Sequence, residues 1–564
     1  MRSPLAALAA TSFALMAVLP SCAAPSQHEP PSTFAMQLEK KDPLSEIRRD
    51  AISAHIRFLA DDLLEGRGTG ERGHRVAAAY VATQLQALGI EPAGDNGSYF
   101  QDVPMRGASV KSASMELVSG TGKVVPLVNE RDFLAAADYN RGEAHVEAPL
   151  VFLGYGISEP DYHYDDLHAR DVHGKVVVLL QGAPPSRPNF FPDVAQAVAG
   201  DRSVKVAALE KLGAAGVIFV TAPLLEERFP WDRAVKGSHF ERVTLVEDGK
   251  PREGSVLPRF FIPSRVLDAW LAEAGRSERI AGLAASADAG HPQTFDFGLS
   301  VRLSVQSPVR SFSSPNVVGR LTKDRGSPLA SEAVLFSAHL DHLGIGDPVN
   351  GDAIYNGAGD DAAGCAMVLE IARAFAQSNE RPKRSLLFAF FTGEEKGLLG
   401  SDHLAQHPPV PLDHVAAVIQ SDFATYPILP LHDIEPLGAD HSTLEADVRD
   451  AARAMNITLS PDSRPEEVLF IRSDHYAFVR RGVPAISPVI GLQGATPQER
   501  SAVEAFEKAR FHQPADEWEP KRDYQPLADF ARFQFLFGLS IANRTERPHW
   551  KPHDYFERFT HAPH

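Results

Sequence analysis

Cysteine is nearly missing: the 564-residue chain has two, Cys22 and Cys365. A disulfide framework is therefore excluded as its source of stability. Positive charge is also in deficit, with 56 Lys and Arg against 73 Asp and Glu and a formal net charge of −17. That balance argues against binding to nucleic acid or to an acidic membrane surface. After the extreme N-terminus no apolar run reaches the length of a membrane-spanning helix. No internal repeat is evident, and the 43 prolines and 41 glycines are spread along the chain, so a low-complexity protein is not indicated. What is present, a 44% hydrophobic content, is ample for a buried core, and the length calls for more than one domain.

The first residues, MRSPLAALAATSFALMAVLPSCAAPS, carry an early Arg, an apolar run to about Leu19 and then small residues. Residues 1–24 read as a secretory signal, so the protein is expected to be exported, whether periplasmic, secreted or membrane-anchored. Leu19-Pro20-Ser21-Cys22 resembles a lipoprotein cleavage box with Cys22 as a candidate lipid anchor; plain cleavage near Ala23–Ala24 is the alternative. Residues 25–45 form a Pro- and Ser-rich linker. Within 46–145, Ile47–Leu64 and Glu71–Leu88 have helical periodicity, followed by short strands near Tyr99–Pro104 and Ser112–Val118. Glu65-Gly66-Arg67 reads first as a plain turn, with a tight loop near a site as the alternative. Residues 146–286 change texture into a small strand-rich α/β module. There His163, His168 and His173 lie among Asp161, Asp165 and Asp166; loop composition favours solvated groups over a metal site.

Chemistry concentrates between Glu332 and Ser401. Two apolar runs, Ala333–Ala338 and Leu386–Phe391, read as buried strands, and a helical pattern from about Asp361 to Gln377 lies between them. His339 and Asp341 stand where the first strand stops, Glu394 and Glu395 where the second stops, and Asp360 and Asp361 open the helix. In an open α/β sheet, ligand sites gather beyond the carboxyl ends of the strands. Alternation in an extended segment puts His339 and Asp341 on one face, so the carboxylate could hold the second imidazole N–H of a metal-bound His339. Adjacent Glu394 and Glu395 point apart, which suits one ligand and one group facing the substrate. Alone, each pair reads first as a strand-end His or a solvated acidic turn; together, at two strand ends with Gly-Asp-Asp opening the helix between them, they indicate a metal site.

The pieces AHLDHLG, NGAGDDAAG, FTGEEKGLLGS, QSDF, RSDHYAFVRRGVPAI and FHQPADEW occur in the order found in the secreted dizinc aminopeptidases. That family includes bacterial leucyl aminopeptidases, the aminopeptidase Y type and glutamate carboxypeptidase II, and the chain resembles it over most of 310–545. Residues 146–286 resemble a protease-associated domain. The resemblance implies a zinc-exopeptidase fold: a mixed, mostly parallel sheet flanked by helices, with a small strand-rich insert. It implies a catalytic domain resuming at 287–545, a 546–564 tail and two zinc ions per chain. His339 and Asp422 would bind one zinc, Glu395 and His512 the other, and Asp360 would bridge. Glu394 would be the general base for a water held between the metals, with Asp341 supporting His339 and Asp516 resembling the acid that supports the last His. A strained peptide bond would follow Asp360.

The function so implied is zinc-dependent exopeptidase, first of all an aminopeptidase acting on peptides. Arg472, Arg480 and Arg481 keep a carboxypeptidase in view as an alternative. A one-zinc glutaminyl cyclase-like enzyme and a non-catalytic binding protein are the others. Phe470 and Phe511 stand at the two positions where some relatives carry an oxyanion-steadying Tyr. Ser473, Asp474 and His475 read as a helix cap and, compatibly with that, as a pocket wall. The final WKPHDYFERFTHAPH is expected at the surface.

Overall fold

The computed structural model describes residues 42–140, 142–185, 193–228, 230–252, 257–422 and 429–561. The expected signal 1–24, Cys22 and most of the 25–45 linker lie outside the described residues. The body of the main sheet comprises β1 (Phe100–Ala108), β2 (Arg242–Glu247), β3 (Val309–Leu321), β4 (Ala333–His339), β5 (Ser385–Phe391), β6 (Val415–Gln420), β7 (Asp433–Leu437) and β8 (Ala485–Ile490). Their spatial order is β2-β1-β3-β5-β4-β6-β8-β7. The central strands β5, β4, β6 and β8 run parallel. The outer ones join antiparallel. The fold is thus α/β with a mixed sheet, as expected, and its parallel part is the centre.

Burial on both faces explains the unbroken apolar runs of β4 and β5, every residue of which is buried. One face carries α1 (Arg49–Leu59), α2 (Arg72–Ala87), α3 (Ala363–Gln377) and α5 (Gln525–Asn543), which share one apolar core with the sheet. Phe336 of β4 packs on Phe375 of α3 and Phe388 of β5, and Phe375 packs on Phe535 of α5. On the opposite face the short α4 (His475–Val479) packs with Leu335, Leu387 and Phe391. The C-terminal segment corrects an expectation. Trp550 and Phe556 are buried in this second core, and Trp550 Nε1 donates to the Gly482 carbonyl at 3.1 Å. Its aromatic side chains outweigh the prolines and histidines that suggested a surface tail.

A second sheet takes strands from Val124–Leu127, Ser112–Val118, Phe295–Gln306, Glu143–Phe152, Val176–Leu180, Gly216–Val220, Arg259–Ile262 and Leu134–Ala135, in that order. It draws on both sides of the 146–286 range, while β2, from inside that range, pairs with β1 of the main sheet.

Candidate metal centre

The main sheet's central strands end together, and the loops that follow them carry the acids and histidines. His339 closes β4, Glu394 and Glu395 lie three and four residues after β5, and Asp422 lies two after β6. Asp360 sits in the turn before α3 and is joined to Asp361 by a cis peptide bond. His512 comes from the loop after the Pro497–Ala509 helix and adopts a positive φ of 55°. These residues, far apart in sequence, meet in one buried pocket of charge.

Asp360 is the centre of the arrangement. Its Oδ1 is 3.0 Å from His339 Nε2, which in turn is 3.8 Å from Asp422 Oδ1. Its Oδ2 is 3.0 Å from His512 Nε2, which is 3.3 Å from Glu395 Oε2. Each oxygen of one carboxylate thus faces a different group of donors. Ligands on a tetrahedral zinc, with bonds of about 2.0–2.2 Å, stand about 3.3 Å from each other. Both groups fit that spacing, and imidazole nitrogen with carboxylate oxygen is the donor set zinc accepts.

Main-chain contacts hold these side chains. Asp361 Oδ2 accepts from the His339 N–H at 3.2 Å and its Oδ1 from Gly364 N–H at 3.0 Å. Asp516 accepts from the Gly359 N–H at 3.0 Å and from the Asp360 N–H at 3.2 Å. It therefore braces the Asp360 turn, whereas the resemblance had it supporting His512. Ser473 Oγ donates to Asp422 Oδ2 at 2.5 Å, and Asp474 makes no helix-capping bond. His475 Nε2 is 2.5 Å from the Phe470 carbonyl.

One sequence expectation is corrected. His339 Nδ1 faces the main-chain carbonyl of Asp341 at 3.0 Å, not its carboxylate. The strand ends at His339, so the two-residue alternation no longer governs residue 341. The Asp341 carboxylate instead accepts from Thr69 Oγ1 at 2.6 Å and from the Glu394 N–H at 3.1 Å. It positions the loop bearing Glu394.

One residue of the site was not singled out from sequence, and another was named only as part of a turn. His342 is completely buried, with Nδ1 2.7 Å from Glu395 Oε1 and 4.0 Å from Asp360 Oδ2. It stands inside the same AHLDHLG motif, where the alternation argument drew attention to His339 and Asp341 only. Arg67 is the other. It donates to the carbonyls of Leu340 at 2.8 Å, Leu59 at 2.5 Å, Asn356 at 2.7 Å and Gly357 at 2.9 Å. The tight-loop alternative for Glu65-Gly66-Arg67 is what the fold adopts. By contrast, His163 and His168 of the insert are exposed, and no group containing them lies among the potential metal clusters of the described residues.

Electrostatics follow from this crowding. Burial, joined by the charges of Glu395, Asp422 and Asp474 and opposed by His339, pushes the Glu394 carboxyl well above the usual range. Burial likewise drives Asp474 up to about 7. Against burial, the acids around His512, Glu395 first, push that imidazole up to about 10. His339 is raised for the same reason, with Glu394 the largest charge acting on it. So many buried carboxylates facing three histidines call for cationic charge between them.

The same stretch is the one that matches known proteins. Residues 316–534 match the family described as Peptidase family M28. A probable zinc metalloprotease of Pyrenophora tritici-repentis is 38% identical over 98 residues, 17% of this chain and 22% of that one. A vacuolar membrane protease of Yarrowia lipolytica is 36% identical over 97 residues, covering 17% of this chain and 9% of that one. The chain thus spans under a quarter of the length of these curated relatives. Among solved structures, an aminopeptidase from Aneurinibacillus sp. strain AM-1 is similar in fold, with a TM-score of 0.53 at 18% identity. That likeness covers 91% of this chain and 98% of the other. The family match, over residues 316–534, spans every strand end that bears these side chains, so it is the part of the chain carrying the candidate metal centre that is similar to peptidase family M28.

Proposed function

We propose that this protein is a zinc-dependent exopeptidase that removes N-terminal residues from peptides. The observation that carries the reading is Asp360, whose two carboxylate oxygens face two separate donor groups. On this reading His339 and Asp422 would hold one zinc and Glu395 and His512 the second, with Asp360 available to either. Zinc bound there would acidify water and polarise the scissile carbonyl. Glu394 is the general base: its proton affinity, raised by burial among carboxylates, suits it to take a proton from the attacking water and pass it to the leaving amine. Asp341 fixes the Glu394 main chain, and Ser473 orients Asp422.

The arginines that a carboxypeptidase would need are engaged elsewhere. Arg480 and Arg481 lie 3.1 and 2.7 Å from the buried Asp402 carboxylate, and Arg472 lies toward Glu467. Removal of N-terminal residues is therefore the favoured direction. The N-terminal pattern supports export with Cys22 as a candidate lipid anchor, and the 146–286 segment supports a protease-associated insert.

Aminoacyl-nitroanilides, N-blocked peptides and C-terminally blocked peptides test this directly. Free-amine substrates alone should be cleaved, with activity lost on chelation and restored by zinc. Glu394→Gln should lower the rate by about 10²–10⁴ while leaving zinc content unchanged. Cleavage that requires a free C-terminal carboxylate would overturn the aminopeptidase assignment.

A further inference from the structure

We infer that His342 is a direct ligand of the second metal position, beside Asp360, Glu395 and His512. This rests on the two-metal reading above and gives that position four protein donors, against three at the first. The geometry of the His342 ring is the evidence. It is fully buried, and among the described residues neither of its nitrogens has a hydrogen-bond partner. Glu395 Oε1 also lacks one, although it lies only 2.7 Å from His342 Nδ1. Two polar atoms that close, yet not aimed along a hydrogen bond, are aimed at a common third point. Asp360 Oδ2 lies 4.0 Å from Nδ1, and His342, Asp360 and Glu395 stand close enough together to share one metal ion, with His512 Nε2 3.0 Å from the same Asp360 oxygen.

The fold makes room for this ring. A Cβ on Gly357 would overlap the His342 imidazole, so the backbone there, at φ +59°, leaves the space that the ring fills. The main chain is fixed as well: the His342 N–H donates to the Arg67 carbonyl at 3.3 Å, and residue 342 bridges to Gly68. His342 and His512 meet edge to face, with centroids 5.7 Å apart, so both rings converge on Glu395. Buried polar atoms are seldom left unpaired in native proteins. A metal ligand is what this nitrogen is placed to be. The first position, with fewer protein donors, is then the more open one.

Zinc binding by the full-length protein, stripped with chelator and titrated in competition with a chromophoric chelator, tests the inference. Wild type should take up two zinc ions. His342→Ala should keep the first with unchanged affinity and weaken the second by about 100-fold or more. Cobalt in the second position should change its visible absorption in the variant, which a merely structural role would not produce. His342→Asn, a polar replacement of similar reach, should show the same loss and carries the test if the Ala variant does not fold. Wild-type affinity at both positions in His342→Ala would overturn the inference. So would full recovery in His342→Asn, which would make His342 an orienter of Glu395. Fewer than two zinc ions in the wild type would instead overturn the two-metal reading beneath it.

Discussion

Arg67 takes a full charge into the interior and gives its donors to four carbonyls. Burial lowers its pKa, and the acids Asp361, Asp341 and Asp360 work against that fall. Its role is to tie the chain after β4 to the turn before Asp360, so that His339 and Asp360 keep their spacing. His475 is buried too, but neutral: burial brings it down to about 4 from an ordinary 6.5. In the unfolded chain this ring binds a proton near pH 6.5, in the folded one only near 4. Its contribution is therefore fully present above pH 6.5 and is lost as pH falls toward 4, by about 3 kcal/mol at most. Denaturation at pH 7 and 4.5 should show a smaller acid loss in His475→Gln than in wild type. Equal losses in both would refute this. At this scale the sequence reveals residue types whose spacing is local. His339, Asp360 and Glu395 stand out because strand ends and a helix start flank them. His342 and Arg67 do not, because their partners lie at residues 395 and 340–357, beyond any local period.

Elements were the most legible level. The strands expected at Ala333–Ala338 and Leu386–Phe391 are Ala333–His339 and Ser385–Phe391. Continuous apolar runs bounded by breakers report burial on both sides, and that is what the helical layers supply. The helix expected from Asp361 starts instead at Ala363. The cause is Asp361, whose side chain turns back to the His339 and Gly364 N–H groups and holds the preceding residues out of helical geometry. Gly364 is the tightest point of this junction. A Cβ there would overlap both the Ser421 carbonyl and the Asp361 carboxylate. Gly364→Ala should therefore destabilise the protein by about 3 kcal/mol or more, read from urea unfolding. A change within about 0.5 kcal/mol would mean that the junction yields without strain.

Across the whole molecule, residues from 67 to 516 hold one site together. The second sheet and the main sheet are also joined by chain: β2 leaves the segment between strands of the second sheet to pair with β1, covering an edge that would otherwise be open. This exchange was invisible in the sequence, since edge pairing depends on register between distant segments. If the clustered acids hold metal as proposed, metal is part of the molecule's stability. Chelation should lower the melting temperature by more than about 5 °C, with recovery on zinc addition. An unchanged melting temperature would show that the acids are neutralised without metal. The Asp516 brace on Gly359 and Asp360 also has a meaning in time. Translation delivers His339, Asp360 and Glu395 long before His512 and Asp516. A growing chain can thus form the central strands that carry the first donors while the candidate site still lacks a donor and a brace, and the site closes only once residues 512 and 516 have joined it.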